Sequence, residues 1–378
     1  EIERVAPKPI PRLPLADAHA AGLVREIDAL RADYIAAIAD EVAAAPDRAP
    51  IRIAYTALHG VAERTLRGVL LRAGFDDLHS VAEQAVPDGR FPTVDFPNPE
   101  EPGAMDRVLA LGLEVGADLV LANDPDGDRV AAAARRNAGF ELLSGNDIGV
   151  LLADDLLRQN EAPRPVVLST IVSSPMLGLV AASHGARWEQ TLTGHKWIQN
   201  RALELEREGQ TYVFGYEEAL GYAPSTLVHD KDGISSALRL VDLASRLKSR
   251  GRTLLDARDA LFTEHGFFAD SQVSVRFEGA DAQSRMRALI DQVRANPPQR
   301  LGGIPVTRFS EPDHGVLVFE LEGGHRAMLR PSGTEPKVKY YCYAVDRVEN
   351  DGDLEAAKGR ARALLQRITD DLRTASGC

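Results

Sequence analysis

The chain has 378 residues, which is too long for one ordinary hydrophobic core, so two or three domains are expected. A hydrophobic fraction of 44% without a long apolar run excludes a membrane-spanning protein, and the acidic start does not resemble a signal peptide. The formal net charge of −12 disfavours a nucleic-acid-binding protein, so an anionic ligand must meet local basic clusters. With only two cysteines, Cys342 and Cys378, neither a disulfide framework nor a cysteine-rich zinc site is expected. We therefore expect a cytoplasmic enzyme that binds neither nucleic acid nor membrane.

The first part of the chain predicts a helical region and then an alternation of strands and helices. Apolar residues such as Leu23 and Ile27 recur at helical spacing and predict one or two helices over residues 16–46. Because the chain starts at Glu1 and a helical region comes before any strand, we expect a fragment of a longer protein. Apolar runs then predict strands at 51–55, 78–81 and 118–122, helices at 66–73 and 103–116, and a proline-rich loop at 87–102.

The alternation resumes after Gly145 and changes after Thr263. The middle part predicts helices at 147–158, 175–183, 233–247 and 254–263, and strands at 166–170 and 211–215. The last part predicts strands at 272–277, 316–321, 326–330 and 338–344, with helices at 281–294 and 354–372. Alternating strands and helices indicate βαβ units, whereas clustered strands indicate a separate α+β unit.

We therefore expect an α/β fold with two consecutive mixed α/β (βαβ-type) domains and a smaller C-terminal α+β domain. Sequence identity reveals no internal repeat, although the two α/β domains are alike in make-up. The expected boundaries are a helical remnant or linker at 1–46, α/β domains at 47–144 and 145–265, and the α+β domain at 266–378.

The segment at 123–129 is dense in carboxylates and directly follows a predicted strand. Asp124, Asp126 and Asp128 alternate on a tight turn, so three carboxylates can converge on one hard cation such as Mg²⁺ or Ca²⁺. Open α/β sheets hold ligands at the carboxyl ends of strands. The triplet resembles the start of an EF-hand, but Arg129 stands where that loop requires glycine, and Arg135 where it requires glutamate. We favour a metal site over an ordinary Asx-rich turn.

The segment at 330–337 is a loop between two predicted strands. It offers a guanidinium, two hydroxyls and flexible backbone amides, which suit phosphate oxygens, although an ordinary turn has a similar composition. These groups belong to Arg330, Ser332, Gly333 and Thr334.

Two other segments carry charged residues at the ends of predicted elements. Glu217, on the run from the strand at 211–215, could accept hydrogen bonds from sugar hydroxyls, but the start of a solvated helix would look the same. Lys231, just before a helix, could approach a phosphate, whereas Asp230 or Asp232 could simply cap that helix.

The short segment at 193–197 is the least specific. Its functional candidates are His195 and Lys196. By itself it is better explained as a turn with a packed Trp197.

Together and in this order, the five segments resemble the phosphohexomutase superfamily of phosphoglucomutases and phosphomannomutases. The order of metal loop, sugar loop and phosphate loop agrees with the family's second, third and fourth domains. These correspond here to 47–144, 145–265 and 266–378. Segments 91–102 and 215–222 look most like the branch that contains bacterial phosphomannomutase-like enzymes and animal phosphopentomutases.

The resemblance implies a role for each candidate residue. It implies one Mg²⁺ ion held by Asp124, Asp126 and Asp128, with Arg129 and Lys231 near the phosphoryl group as catalytic residues. It implies that the substrate is bound by Glu217, Lys196, His195, Arg330, Ser332, Gly333 and Thr334. A serine that the family often uses for a second hydroxyl contact is replaced here by Ala219.

The family's first domain, whose Thr-Ala-Ser-His-Asn-Pro motif carries the phosphoserine, has no counterpart in the sequence. The nearest match, at 182–185, lacks the Asn-Pro continuation and ends a predicted helix, so Ser183 is not assigned to catalysis. We therefore expect the chain to lack the N-terminal phosphoserine domain of the same protein and to be inactive by itself.

The implied reaction is an intramolecular phosphoryl transfer between C1 and C6 of a hexose, through the phosphoserine and a sugar bisphosphate that is both intermediate and activator. A phosphopentomutase of the same superfamily and a non-catalytic sugar-phosphate-binding fragment are the alternatives. A calcium-binding module leaves the phosphate-type loop unexplained. A phosphatase with an aspartyl nucleophile in the Asp124 loop would need no fourth domain.

Overall fold

The computed structural model consists of three sheets with helices packed against them. It describes residues 12–25, 27, 29–42, 47–279, 281–312, 315–332 and 335–377. The helices are α1 Leu15–Ala20, α2 Ala29–Asp40, α3 Ala62–Arg72, α4 Asp106–Val115, α5 Gly145–Gln159, α6 Met176–Ser183, α7 His195–Arg207, α8 Gly233–Lys248, α9 Leu254–His265, α10 Ala282–Ala295 and α11 Leu354–Ala375. The strands are β1 Ile53–Thr56, β2 Leu78–Ser80, β3 Leu119–Asn123, β4 Val130–Arg136, β5 Gly139–Leu142, β6 Pro165–Thr170, β7 Arg187–Thr191, β8 Thr211–Glu217, β9 Gly221–Ala223, β10 Phe267–Arg276, β11 Arg300–Leu301, β12 Ile304–Ser310, β13 Leu317–Leu321, β14 Arg326–Pro331 and β15 Lys337–Asp346.

The first sheet has the strand order β2-β1-β3-β4-β5. β1 pairs in parallel with β2 and β3, and β3 continues through a tight turn into antiparallel β4. All five residues of β3 are buried, which agrees with its unbroken apolar sequence. Helix α4 ends at Val115, and the following Gly116 has a φ of 67°, the left-handed conformation typical of the residue after a helix.

The second sheet has the order β7-β6-β8-β9, with β6 parallel to β7 and β8. Helix α5 begins with a capping box in which Ser144 and Asp147 each accept the other's backbone N–H. β8 ends at Glu217 and turns tightly into antiparallel β9, and the stacked rings of Phe214, Tyr216 and Tyr222 on these two strands are buried.

The third sheet is antiparallel throughout, in the order β10-β15-β14-β13-β12-β11. β14 ends at Pro331 and antiparallel β15 begins at Lys337, so the described part of the predicted phosphate segment lies at the end of this strand pair. The predicted α/β fold class, with two mixed α/β units and a C-terminal α+β unit, is confirmed by this arrangement. Within the described residues, no helix is long and apolar enough to cross a bilayer.

The predicted helical region at 16–46 contains α1 and α2. Helix α2 packs on α3, where a Cβ added at Gly68 would lie 2.8 Å from Cδ1 of Ile35. The hydroxyl of Tyr34, on α2, donates to both carboxylate oxygens of Asp232 at 2.8 Å. This region is therefore packed against the residues that begin α8.

Asp259, on α9, pairs with basic side chains from three elements. Its carboxylate contacts Arg258 at 2.9 Å, Lys358 on α11 at 3.3 Å and Arg136 on β4 at 3.4 Å. The side chains of Arg258 and Lys358 are only 7% and 6% exposed, so their charges depend on carboxylate partners. The Asp259 cluster (Arg136, Arg258, Asp259 and Lys358) thus joins three parts of the chain.

Candidate active site

The metal loop (residues 124–129) is positioned by the ends of β3 and β4. Asn123, the last residue of β3, accepts a hydrogen bond from Tyr55 Oη at 2.9 Å and donates its amide to the carbonyl of Arg129 at 2.6 Å, which closes the loop. Gly60 lies so close to this loop that an added Cβ would be 2.3 Å from the carbonyl oxygen of Pro125. The loop backbone is therefore held by main-chain packing as well as by hydrogen bonds.

The three aspartates of the metal loop converge as predicted. Asp124, Asp126 and Asp128 each offer a carboxylate oxygen, and these oxygens all lie within 4.8 Å of one another. Asp124 is fully buried and Asp126 is exposed, so the group opens from the protein interior towards solvent. A set of carboxylate oxygens this close together fits a hard divalent cation such as Mg²⁺.

Arg129 pairs with the buried carboxylate. Its Nε lies 2.7 Å from Asp124 Oδ2, and its backbone N–H donates to Oδ1 at 3.0 Å. Burial raises the pKa of Asp124 to about 6; Arg129 opposes this rise, whereas Asp126 and Asp128 add to it. The loop thus holds crowded negative charge that one guanidinium only partly compensates.

Lys231 brings a second cation to the metal loop. Its Nζ lies 2.9 Å from Asp128 Oδ2 and 3.4 Å from Asp230 Oδ1. Burial lowers the pKa of Lys231, but the pairing with Asp128 and Asp230 outweighs burial, and the pKa is raised. The adjacent Asp232 accepts hydrogen bonds from the backbone N–H groups of Ile234 and Ser235 at 3.1 Å. Asp232 therefore caps α8, which is the role that the sequence offered for Asp230 or Asp232.

Glu217 lies at the end of β8, in a hairpin and not at the start of a solvated helix, so that alternative was wrong. Its Oε1 accepts the backbone N–H of Gly194 at 2.8 Å, and its Oε2 lies 3.5 Å from Nδ1 of His195. Burial would raise the pKa of Glu217, but His195, the Gly194 amide and Lys231 together lower it. Glu217 therefore lies between the segment at 193–197 and Lys231.

The segment at 193–197 is the start of a helix, because α7 begins at His195. His195 is buried, and neither of its ring nitrogens makes a hydrogen bond among the described residues. Trp197 lies in this helix and is 41% exposed, so the alternative of a turn with a packed Trp197 was wrong. Lys196 Nζ lies 5.3 Å from the centre of that ring, a cation–π contact.

A cavity of about 620 Å³ separates the start of α7 from the third sheet. Lys196 and Trp197 line one side of it, and Arg330 and Ser332, at the end of β14, line another. The structure thus brings the predicted phosphate segment and Lys196 together. The predicted residues Gly333 and Thr334 lie outside the described part of the chain, and none of the three aspartates lines this cavity.

Asn98 and Glu100 were missed as site residues. Oδ1 of Asn98 accepts a hydrogen bond from Nη1 of Arg129 at 3.3 Å and another from the backbone N–H of Glu100 at 3.2 Å. Burial raises the pKa of Glu100, against the opposing charges of Arg129 and Lys339. In the sequence, the segment at 91–102 only resembled one branch of the superfamily. The composition of a proline-rich loop does not indicate which distant side chains it will contact.

Glu218, next to Glu217, contacts a different group of side chains. Its Oε2 lies 3.3 Å from both Thr170 Oγ1 and Ser173 Oγ, and its backbone N–H donates to Ser173 Oγ at 3.1 Å. Burial, with a further contribution from Glu217, raises the pKa of Glu218 to about 7. The paired glutamates therefore differ in environment, and only Glu217 faces Gly194 and His195.

Ser183, the nearest sequence match to a phosphoserine motif, ends α6 as expected. Its hydroxyl donates to the carbonyl of Val180 at 2.8 Å, within the same helix. The following His184 lies 2.8 Å from Asp154, on α5. The hydroxyl of Ser183 thus makes a hydrogen bond within its own helix.

Comparisons with known proteins agree with this geometry. The family model for phosphoglucomutase/phosphomannomutase alpha/beta/alpha domain II matches residues 32–139, and that for domain III matches residues 144–265. A Haemophilus influenzae protein named probable phosphomannomutase is 38% identical over 90% of this chain and 71% of its own length. The mouse phosphopentomutase is 32% identical over 77% of this chain and 52% of its own length. A Staphylococcus epidermidis phosphoglucomutase is 31% identical over 82% of this chain and 60% of its own length.

Solved structures show the same fold. A phosphoglucomutase/phosphomannomutase family protein from Burkholderia thailandensis superposes with a TM-score of 0.69 at 19% identity, over 92% of this chain and 64% of the other. The chain thus spans between about half and 71% of the relatives it matches. On the two matched domains and the 38% identity to the Haemophilus protein, the chain belongs to the phosphoglucomutase/phosphomannomutase family.

Proposed function

We propose that this chain carries the magnesium-, sugar- and phosphate-binding parts of a phosphosugar mutase. The whole enzyme would move a phosphoryl group between C1 and C6 of a hexose through a phosphoserine and a sugar bisphosphate. The observation that supports this most is how the candidate residues are grouped. Lys231 reaches the metal loop through Asp128, Glu217 reaches Gly194, and Lys196 lines the cavity with Arg330.

Asp124, Asp126 and Asp128 would hold one Mg²⁺ ion. Their oxygens form an all-carboxylate set, which suits a hard cation. When bound, the ion neutralises charge on the oxygens of the phosphoryl group being transferred. The buried Asp124 fixes the inner side of the site, and the exposed Asp126 leaves the outer side accessible.

Arg129 and Lys231 would stabilise the phosphoryl group electrostatically. Arg129 is held in place by Asp124 and Asn98, and Lys231 by Asp128 and Asp230. Phosphoryl transfer depends mostly on positioning and on fixed positive charge, and two oriented cations beside a metal site supply both.

Glu217 and His195 would bind the sugar. Because its pKa is lowered, Glu217 is ionised at neutral pH and can only accept hydrogen bonds, as sugar hydroxyls require. The Gly194 N–H occupies one lone pair of Glu217 and fixes the direction of the others. Such a carboxylate can bind a pair of hydroxyls in either orientation of the sugar.

Arg330 and Ser332, with Gly333 and Thr334, would hold the phosphate that does not react, and Lys196 would face it across the cavity. A guanidinium can bind two phosphate oxygens at once. In a chain with a net charge of −12, a cavity lined by Lys196 and Arg330 is a place where an anionic ligand can bind.

We further propose that the phosphorylated serine belongs to a part of the enzyme outside these residues. This agrees with the hydrogen bond from the Ser183 hydroxyl to the Val180 carbonyl, which gives Ser183 a structural role at a helix end. We also propose a cytoplasmic location, which agrees with the free, buried thiol of Cys342.

The function can be tested with this chain and with a version extended upstream. Both are incubated with glucose 1-phosphate, mannose 1-phosphate or ribose 1-phosphate, together with Mg²⁺ and a catalytic amount of sugar bisphosphate. We expect the shorter chain to bind the sugar phosphates without turnover and the longer one to isomerise them. Comparable turnover by the two chains would place the nucleophile within these residues, and the absence of both binding and turnover would refute the mutase assignment.

A phosphopentomutase is the second candidate. It is favoured by the 32% identity to the mouse phosphopentomutase over 77% of this chain. The same substrates separate the two activities, because a phosphopentomutase should convert ribose 1-phosphate with a higher kcat/KM than either hexose phosphate.

A further inference from the structure

Helix α10 forms part of the wall of the 620 Å³ cavity that Lys196 also lines. Six residues of this helix line the cavity at the spacing of a single helix face: Gln283, Met286, Arg287, Ile290, Asp291 and Arg294. Met286 and Ile290 are buried, whereas Arg287 is exposed. The face therefore has an apolar base and a charged rim.

The charges on this rim are not equivalent. Arg294 pairs with Asp291 and with Glu311, whose Oε1 lies 2.7 Å from Nη2. The charge of Arg294 is thus compensated by two neighbouring carboxylates. The side chain of Arg287 makes no hydrogen bond, ion pair or ring contact with any residue that the structure describes.

The cavity consequently has a strong excess of positive charge. Arg287 on α10, Arg330 on β14 and Lys196 on α7 are cations from three separate elements. Asp291 is the carboxylate that lines the same cavity, and it is paired with Arg294. Three cations facing one space repel each other unless an anion lies between them.

We propose that Arg287 is a phosphate-binding residue, which contacts from the α10 side the same phosphate group that Arg330 and Ser332 hold from the end of β14. This inference rests on the proposed function, and it adds a residue and a helix to the phosphate site. A phosphate has enough acceptor oxygens for two guanidinium groups and a hydroxyl. Arg287 would therefore help to select substrates that carry a phosphate at this end of the sugar.

The test is calorimetric titration of the full chain with glucose 1-phosphate and, separately, with inorganic phosphate, at constant ionic strength. Arg287→Ala should weaken the binding of glucose 1-phosphate about tenfold, the effect of losing one charge-assisted contact. Arg287→Lys should restore part of the affinity, because it keeps the charge but not the planar fork.

Arg285→Ala is the matched control. Arg285 lies on the same helix, does not line the cavity, and has its guanidinium 5.6 Å from the centre of the Phe277 ring. The Arg285→Ala substitution removes the same charge from the same helix. Equal losses of affinity in the Arg285 and Arg287 variants would therefore indicate a general charge effect and overturn the inference.

Arg330→Ala separates this inference from the function on which it rests. Loss of binding in Arg330→Ala with unchanged binding in Arg287→Ala would overturn the role of Arg287 alone. If the unmodified chain binds neither ligand, both the role of Arg287 and the proposed function are refuted.

Discussion

Replacement of Glu218 by glutamine should stabilise the protein above neutral pH and make little difference near pH 4.5. Burial raises the pKa of this carboxyl from 4.5 to about 7, so the folded protein retains a proton that the unfolded chain has lost. The stability that this proton provides is fully present below pH 4.5 and is lost as the pH rises through 7. Glutamine is neutral throughout and keeps an oxygen for the Thr170 and Ser173 hydroxyls.

The size of the effect follows from the pKa difference. A rise from 4.5 to about 7, at about 1.4 kcal/mol per pH unit, corresponds to about 3 kcal/mol. The free energy of unfolding of Glu218→Gln should therefore exceed that of the unmodified protein by about 3 kcal/mol at pH 8, and by less than about 1 kcal/mol at pH 4.5.

Urea unfolding at several pH values, followed by tryptophan fluorescence, measures this difference. Both tryptophans, Trp188 and Trp197, lie near the second sheet, as Glu218 does, so their signal reports on the correct part of the chain. Glu217→Gln is a control of opposite sign. The pKa of Glu217 is lowered, so its contribution is present at pH 8 and lost as the pH falls, and this variant should be less stable at pH 8. Parallel pH profiles for Glu218→Gln and the unmodified protein would refute the reasoning.

Three further changes test other parts of the structure. Asp126→Asn should weaken Mg²⁺ binding at least about tenfold, measured by titration. The urea midpoint should stay unchanged because Asp126 is exposed. An unchanged Mg²⁺ affinity would show that Asp126 is not a ligand. Gly60→Ala should weaken Mg²⁺ binding and destabilise the protein by about 2 kcal/mol, because the added Cβ would lie 2.3 Å from the carbonyl oxygen of Pro125. An alanine variant with unchanged stability would contradict this packing. Asp259→Asn should lower the free energy of unfolding by about 1 kcal/mol, because Arg258 and Lys358 each lose one carboxylate partner but keep another, Glu141 or Glu355, at 2.8 Å; a neutral effect would show that Asp259 is dispensable.

Some strands were predictable from their own sequence, and others were not. β3 was predicted almost to the residue because all of its side chains are buried. β4 was missed because its sequence, Val-Ala-Ala-Ala-Ala-Arg-Arg, has little β propensity, and its pairing with β3 decides its conformation. α7 was missed because it starts directly after Gly194, whose φ of 113° allows a sharp change of direction.

Some residues of the candidate site were likewise predictable from the sequence, and others were not. The three aspartates of the metal loop were predictable, since neighbouring residues on one turn must lie close together. The contact between Arg129 and Asn98 joins residues 31 positions apart, and that between Glu218 and Ser173 joins residues 45 positions apart. No local pattern specifies such pairs, because they depend on how separate loops meet at the ends of the strands.

The glycine contacts of the metal loop have a consequence for how this site can be redesigned. An added Cβ at Gly60 or Gly233 would lie 2.3 Å from a main-chain oxygen of the loop, that of Pro125 or Arg129. Because both partners are backbone atoms, no compensating side-chain substitution can make room. Libraries that vary the cavity should therefore hold both glycines constant and change the exposed side chains around it, such as Trp197, where new shapes can be accommodated without moving the metal loop.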